Sequence, residues 1–213
     1  MKLYDSRRAP NPRRVRWFMA EKGIPVGDSG IPGGIEVVDV DLFGGQHRTP
    51  EYLAMAGAPN VPALTMEDGT TVTESIAICR YLEALHPEPN LFGRTPKEQA
   101  LFEMWLRRAE MTAATPLMMA VRHAHPALAA LEKQVPEIAA ANRAGAERAL
   151  KAFDRRLEES EWIAADRISM ADGVLFIGLD FSRMVRFEPD PGLAHLARWL
   201  EAMKARPSAS AGV

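Results

Sequence analysis

The pattern of apolar and polar positions changes character near Leu85 and predicts a mixed first half followed by a helical second half. In the first half, β-branched or alternating runs indicate strands, and apolar residues at i, i+3 and i+4 indicate helices. The Asp68-Gly69 pair indicates a tight hairpin. The predicted order is β-α-β-α-β-β-α, with strands at 2–4, 35–40, 62–66 and 70–73 and with helices that begin at Asn11-Pro12, at Thr49-Pro50 and, capped by Thr73, at Glu74.

The second half has helical periodicity nearly throughout. Ser169 and Asp172 have the spacing of a capping box, which marks the start of an apolar helix. The last residues, 208–213, are predicted to form a loose end. The predicted helical segments cover residues 96–125, 136–160, an apolar run at 174–181, and 193–204.

Composition and charge narrow the possible functions. The 213 residues carry 26 basic and 28 acidic side chains, so the net charge of -2 excludes nucleic acid as the default partner. The single cysteine, Cys79, excludes an internal disulfide, and with no His/Cys cluster we expect no metal site. No apolar leader or run of about 20 residues occurs, so we expect a cytoplasmic protein without membrane contact.

Two motifs carry candidate binding chemistry, and each has a plain structural alternative. Val61-Pro62 precedes a strand, where a cis bond would turn the Val61 backbone outward to pair with an extended peptide. The alternative is a trans proline at a strand start. Glu74-Ser75 begins a helix, where Ser75 suits a carboxylate and Glu74 an ammonium group. The alternative is an ordinary helix start with a first-turn acid.

Three further features have open interpretations. His47, in a glycine-rich loop, either donates to an anionic group or is a solvated histidine. Cys79 is interpreted as a buried, inert thiol in a helix. A cluster of arginines on the first helix either attracts an anionic ligand or forms a solvated face or a subunit contact. That cluster consists of Arg7, Arg8, Arg13, Arg14 and Arg16.

Taken together, these elements resemble the cytosolic glutathione transferases over nearly the whole chain. Each motif is weak alone, but their order and spacing are specific. The motifs are Lys-Leu-Tyr at 2–4, Ala-Pro-Asn-Pro-Arg-Arg-Val-Arg at 9–16, Ala-Glu-Lys-Gly at 20–23, Gly-Gln-His at 45–47, Val-Pro-Ala-Leu at 61–64, Asp-Gly at 68–69, Glu-Ser-Ile-Ala-Ile at 74–78, Ser-Met-Ala-Asp at 169–172 and Arg-Pro-Ser at 206–208.

The resemblance implies the glutathione transferase fold. Its parts are an α/β thioredoxin-like N-terminal domain at 1–85, a linker at 86–95 and an all-α helical-bundle domain at 96–213. It also implies a homodimer and a bound molecule of glutathione, without metal. The capping box of the second domain is implied to be structural rather than catalytic.

The glutathione contacts implied by the resemblance all fall in the first domain. Val61 pairs with the cysteinyl backbone beside a cis proline. Glu74 and Ser75 hold the γ-glutamyl head group, and His47 and Asn60 lie near the glycine end. The implied glutathione-binding residues are His47, Asn60, Val61, Pro62, Glu74 and Ser75.

The chain departs from the family at the position that activates the thiol. Ala9 stands where serine-type members have Ser, and Pro10 lies near where cysteine-type members have Cys. A free thiol has a pKa of about 8.5, so the enzyme must stabilise the thiolate. Asn11 is the nearest side chain that donates a hydrogen bond, and the helix after it adds its dipole. Two roles stay open for Asn11, a catalytic donor or a helix cap.

The implied function is a glutathione S-transferase acting in detoxification, in which the glutathione thiolate attacks a small apolar electrophile. Arg108 and Met111 are candidates for the second-substrate pocket. One alternative is a non-catalytic protein of the same fold that binds glutathione or an apolar ligand, which Ala9 favours. Another is a glutathione-dependent disulfide reductase. The sequence does not specify the electrophile.

Overall fold

The chain divides into two compact units in a computed structural model that describes residues 1–27 and 34–211. The thioredoxin-like unit contains Met1–Pro89 together with the segment that begins at Pro207, and the helical unit contains Asn90–Arg206. The sequence-based division ran the second domain to residue 213. In the structure, however, Ser208 is buried in the first unit and donates to Glu21. The start of the predicted loose end is therefore packed, and Gly212 and Val213 lie outside the described residues.

The thioredoxin-like unit confirms the predicted order of strands and helices. Its sheet has the strand order β2-β1-β3-β4, in which β1 and β2 are parallel and β3 is antiparallel to both β1 and β4. The elements are β1 (Lys2–Asp5), α1 (Pro10–Lys22), β2 (Glu36–Asp39), α2 (Pro50–Ala56), β3 (Ala63–Thr65), β4 (Thr71–Thr73) and α3 (Ser75–Leu85).

Two helix starts differ from the prediction. The N-cap residue of α1 is Ala9 rather than Asn11, because Pro10 occupies the first helical position, where its missing N–H costs nothing. The N-cap residue of α3 is Glu74 rather than Thr73, and its φ of 68° lies in a region that side chains rarely adopt. The predicted start of α2 at Thr49-Pro50 is confirmed, and Thr49 is its N-cap residue, since the Thr49 hydroxyl accepts the Tyr52 N–H at 3.2 Å.

Charged side chains hold α1 within its unit. Arg14 is only 3% exposed, and the fully covered Lys22 side chain forms an ion pair with Glu83 of α3. Arg16 pairs with the buried Asp5 at the end of β1. Arg13 donates to the carbonyl of Ala209, 3.0 Å away, in the returning C-terminal segment. These cations make contacts within their own unit. The sequence analysis had instead interpreted the arginine cluster either as attracting an anionic ligand or as a solvated face or subunit contact.

The helical unit confirms the predicted helices, and one of them has an irregularity that the sequence analysis did not predict. The helix predicted over 96–125 is continuous but contains a π-helical turn, in which the backbone accommodates one extra residue. None of the helices in the described ranges combines the length and apolar character that a bilayer crossing needs. The elements are α4 (Pro96–Arg108), the π-helical turn (Ala109–Ala114), α5 (Thr115–Ala124), α6 (Pro136–Glu159), α7 (Met170–Ser182) and α8 (Ala194–Lys204).

Part of the predicted linker belongs to the core of the helical unit. Leu91 and Phe92 are 1% and 4% exposed. The carbonyl of Leu91 accepts the N–H of Met170 at 3.0 Å, which ties this segment to the start of α7. Gly93 lies so close to α4 that an added Cβ would be 2.6 Å from the Gln99 nitrogen. The ordered chain of the helical unit thus starts before its first helix.

The predicted capping box is present and extends into a buried network around Asp172. The carboxylate accepts the Ser169 N–H at 2.9 Å and the Ser169 hydroxyl at 2.6 Å. Its second oxygen accepts the Ile163 N–H at 3.0 Å and the indole N–H of Trp199 in α8 at 2.9 Å. Asp172 and Trp199 are both fully buried. One side chain therefore joins the start of α7, the preceding loop and α8.

We expect Asp172→Ala to lower the free energy of unfolding by at least about 3 kcal/mol, because it leaves three buried N–H donors without an acceptor. Urea unfolding followed by circular dichroism measures the change. Asp166→Ala, at an exposed acid of the same unit, is the matched control and should cost no more than about 0.5 kcal/mol. Equal unfolding midpoints for the two variants would contradict the role of Asp172.

Candidate functional site

The register of the sheet brings four chain segments to one edge. β1 ends opposite the start of β3, since Tyr4 pairs with Ala63, and β4 ends beside the same residue, since Thr73 pairs with Ala63. β2 runs parallel to β1, so its last residue, Asp39, pairs with Asp5 at that edge as well. The segments that leave or enter this edge carry the predicted site residues Asn11, His47, Asn60, Val61, Pro62, Glu74 and Ser75.

The backbone of Val61 is open to a ligand. The Val61-Pro62 peptide bond is cis, and β3 begins only at the next residue, Ala63. Neither the N–H nor the C=O of Val61 bonds to another group in the described parts of the chain. An extended peptide can therefore pair with Val61 as an added strand would.

Glu74 and Ser75 form a second open group at the start of α3. Glu74 is exposed, and within the described ranges its carboxylate has no hydrogen-bonding or ionic partner. Its side chain does not cap the helix, so the first N–H groups of α3 lack a side-chain acceptor. The strained φ of 68° places this acid beside those N–H groups. A carboxylate and a set of free N–H donors together suit a ligand with both an ammonium and a carboxylate.

Asn11 presents hydrogen-bond donors at the first turn of α1. Pro10 and Pro12 have no N–H, and the Asn11 N–H finds no acceptor among the described residues. The Asn11 Oδ1 atom is buried without a hydrogen-bond partner. The Asn11 side chain makes no capping bond, because Ala9 is the N-cap residue. The sequence left two roles open for Asn11, a catalytic donor and a helix cap. The interpretation of Asn11 as a helix cap is wrong.

His47 lies in a short 3-10 turn, Gln46–Arg48, that leads into α2. The side chain is buried, and its Nδ1 atom has no hydrogen-bond partner in the part of the chain that the structure describes. Burial, together with the neighbouring Arg48 charge, lowers the pKa of His47 below its usual value. His47 is therefore a neutral imidazole near pH 7 rather than a solvated, partly charged loop residue.

Tyr52 anchors the segment before the cis proline, and the sequence analysis missed it. Its hydroxyl donates to the carbonyl of Asn60 at 2.6 Å, and its ring packs edge-on against Tyr4 with 6.1 Å between centroids. Burial, with a smaller contribution from Tyr4, raises the pKa of Tyr52 to about 12, so the hydroxyl stays protonated and donates. The only sequence signal for this contact was a tyrosine in the short helix predicted to begin at Thr49-Pro50.

Cys79 is buried in α3, as predicted. Burial raises the pKa of its thiol far above the usual value, so this sulfur is protonated and inert. Within residues 1–27 and 34–211, no three His, Cys, Asp or Glu side chains form a group that could hold a metal ion.

The two predicted second-substrate residues lie in the helical unit. Arg108 ends α4, and Met111 lies in the π-helical turn, where 60% of it is exposed. The guanidinium of Arg108 lies over the ring of Trp105, 4.7 Å from its centroid. Both residues are therefore on the surface of that unit rather than in its core.

Comparison with known protein families gives matches to both halves of the chain. Residues 3–90 match the N-terminal domain of glutathione S-transferases, and residues 109–207 match their C-terminal domain. Glutathione S-transferase 2 of Saccharomyces cerevisiae is 33% identical over 98% of this chain and 87% of that protein.

Solved structures give the same result at the level of the fold. The crystal structure of Gtt2 from Saccharomyces cerevisiae superimposes with a TM-score of 0.88 at 33% identity, covering all of both chains. A glutathione S-transferase domain-containing protein of Marinobacter aquaeolei VT8 has a TM-score of 0.87 and 33% identity, over 98% of this chain and 99% of that one. With matches to both domain models and a relative similar along its whole length, this chain belongs to the glutathione S-transferase family.

Proposed function

We propose that this protein is a glutathione S-transferase that binds glutathione at the sheet edge and transfers its thiolate to a small apolar electrophile. The open backbone of Val61, opposite the unpartnered acid and helix start at Glu74 and Ser75, is the observation that carries the proposal. These groups match a peptide that has an amino-acid head group at one end. The family membership of the chain supports the same ligand.

Each part of glutathione has a complementary group. The cysteinyl backbone pairs with Val61 beside Pro62, and the γ-glutamyl ammonium and carboxylate bind Glu74 and Ser75. At the other end, the glycine carboxylate approaches His47 and Asn60. A neutral imidazole still carries one N–H that donates to this carboxylate, and binding of the anion favours its protonation.

Asn11 is the proposed catalytic residue, since its backbone N–H and its side-chain amide both donate at the start of α1. Hydrogen bonds to the thiolate, together with the positive end of the helix dipole, lower the thiol pKa. The thiolate then attacks the electrophilic carbon, forming a carbon–sulfur bond while the leaving group departs with its electron pair. In this proposal Arg108 and Met111 contact the electrophile.

One alternative has a specific observation in its favour. Ala9 removes the hydroxyl that serine-type members place at this position, so a non-catalytic protein of the same fold that binds glutathione is the second candidate. A glutathione-dependent disulfide reductase is less favoured, because the only protein thiol, Cys79, is buried and protonated.

The family resemblance extends the proposal beyond the single chain. We infer a homodimer that acts in the cytoplasm and detoxifies electrophiles, with glutathione as co-substrate and without a metal ion. These features rest on the likeness to glutathione transferases.

We first expect the protein to be retained on immobilised glutathione. We also expect it to form the thioether of glutathione and 1-chloro-2,4-dinitrobenzene, which is measured by the absorbance of the product. Glu74→Gln should weaken glutathione affinity at least about tenfold, because a charge-assisted hydrogen bond is lost. Glu67→Gln, at an exposed acid of the β3–β4 hairpin, is the matched control. Retention without turnover would favour the non-catalytic alternative. Absence of retention would exclude both the transferase and the non-catalytic glutathione-binding protein.

The second expected outcome concerns Asn11→Ala. The pKa of bound glutathione should rise by about 1–2 units and kcat at pH 7 should fall about tenfold, because a hydrogen bond to a charged sulfur is lost. Thiolate absorbance against pH measures the shift. The N-cap of α1 is Ala9, so the fold should remain intact. Asn142→Ala, in α6, is the control, and an unchanged thiol pKa in Asn11→Ala would remove Asn11 from the mechanism.

The third expected outcome tests whether Tyr52 positions the Val61 segment. Tyr52→Phe removes one hydrogen bond to Asn60, worth about 1 kcal/mol, so KM for glutathione should rise about fivefold. The value of kcat should change much less, because no reacting atom touches Tyr52. Tyr81→Phe is the control, because this tyrosine of α3 makes no side-chain hydrogen bond to any residue that the structure describes. Parallel losses in kcat and thermal stability, with KM unchanged, would refute a positioning role.

A further inference from the structure

The loop that joins β1 to α1, residues 6–9, leads into a helix that has no side-chain cap. The N-cap residue of α1, Ala9, has no oxygen in its side chain, and the first turn contains no acid. Inside the loop, the Ala9 N–H donates to the Ser6 carbonyl at 2.9 Å. Because the first N–H groups of a helix have no partner within it, an uncapped start depends on contacts from other residues. The position of Asn11 in this first turn depends on the same contacts.

Arg16 makes such contacts from within α1. Helical side chains lean toward the N-terminus of their helix, so the side chain of Arg16 extends back toward the loop. Its Nη2 atom donates to the Arg7 carbonyl at 2.8 Å, and its Nη1 atom bonds the Asp5 carboxylate. The planar guanidinium fork therefore joins the end of β1 and the middle of the loop to the body of α1.

Asp5 is a firm anchor for this fork. It is 3% exposed, and its carbonyl accepts the Val40 N–H at 2.6 Å beyond the end of β2. Its second carboxylate oxygen, Oδ1, is buried and has no hydrogen-bond partner among the residues that the structure describes. A buried carboxylate in this position depends on its cationic partner, because an uncompensated buried charge is costly. Arg16 is therefore held from the Asp5 side while it holds the Arg7 carbonyl on the other.

Arg13 offers a comparison within the same helix. It also donates to a backbone carbonyl, at 3.0 Å, but that carbonyl belongs to Ala209 in the C-terminal segment rather than to the loop before α1. Arg13 carries the same charge as Arg16 and lies nearer to Asn11 along α1. A general effect of positive charge on a thiolate would appear with both arginines, whereas an effect of holding the loop would appear with Arg16 alone.

We propose that Arg16 is a positioning residue for thiol activation: it holds the loop at 6–9 and so keeps the donors of Asn11 directed at the glutathione sulfur. The inference rests on the proposed transferase function and adds a residue that acts through Asn11. The proposed glutathione contacts at Val61 and Glu74 lie on other segments of the unit. Loss of Arg16 should therefore raise the thiol pKa and lower kcat at pH 7, while KM for glutathione changes little.

The test uses Asp5→Asn as its background, because an amide leaves no buried charge when Arg16 is then replaced. The pKa of bound glutathione, measured by thiolate absorbance against pH, should be no higher in Asp5→Asn than in the wild type, since Arg16 still bonds the Arg7 carbonyl. Adding Arg16→Met gives the double variant. Its thiol pKa should be higher by about 1 unit and its kcat at pH 7 about fivefold lower, with KM for glutathione within about twofold.

Amide hydrogen exchange of the free protein tests the same contact without glutathione. The amides of Ala9 and Arg13, which donate to the carbonyls of Ser6 and Ala9, report on the loop and on the first turn of α1. Their exchange should be at least about fivefold faster in the double variant than in Asp5→Asn, because the loop is no longer held.

Two further variants separate position from charge. Asp5→Asn combined with Arg13→Met has the same net charge as the double variant, and its thiol pKa should stay within about 0.3 units of that of Asp5→Asn. Arg16→Lys keeps a cation beside Asp5, which protects the fold, but replaces two separate nitrogen donors with one ammonium group. A positioning role predicts a raised thiol pKa in Arg16→Lys, and a purely electrostatic role predicts the wild-type value.

Four outcomes would overturn the inference alone. They are a thiol pKa in the double variant within about 0.3 units of that of Asp5→Asn, an equal rise in the Arg13 variant, a rise without faster exchange at Ala9, and a wild-type thiol pKa in Arg16→Lys. A wild-type protein that binds glutathione without lowering its thiol pKa below about 8.5 would instead refute the proposed thiol activation, and the inference with it.

Discussion

The candidate site depends on the register in which β3 pairs with both β1 and β4. Ala63 lies opposite Tyr4 on one side and Thr73 on the other, so the start of β3 meets the ends of both neighbours. Since side chains alternate along a strand, a slip of one residue would move the buried Leu64 to the opposite face of the sheet, where the much smaller Ala63 is buried. It would also move the Val61 backbone away from Glu74. Core packing and ligand geometry are therefore set by the same pairing.

The candidate site also requires that α1 keeps its position relative to this edge of the sheet. Ion pairs between charged side chains fix that position. Arg16 joins α1 to Asp5 at the end of β1, while Lys22 joins the other end of α1 to Glu83 of α3. A buried ion pair contributes little net stability, because desolvation offsets the attraction, but losing one partner is costly. Such pairs favour one arrangement of α1, which keeps Asn11 at the sheet edge.

Sequence patterns predicted the elements well where local chemistry decides the structure. The Asp68-Gly69 hairpin and the capping box of Asp172 are examples, because a turn or a cap needs only neighbouring residues. The π-helical turn was missed, since it depends on the approach of Gly178 from a distant helix. Burial of Arg14 was missed for a similar reason: its helical position looked exposed until distant parts of the chain covered it.

The helix start at Ala9 shows how one substitution changes two donors together. Ala9 is the N-cap residue of α1, so a serine there would place its hydroxyl where it accepts the N–H of Asn11, the second helical residue. Alanine removes that hydroxyl, and the Asn11 N–H has no acceptor among residues 1–27 and 34–211. Since Pro10 and Pro12 supply no N–H, Asn11 then holds the backbone donor of the first turn as well as its own amide. In the proposed mechanism, the side-chain donor lost at position 9 is thus replaced by a backbone donor at the positive end of the same helix.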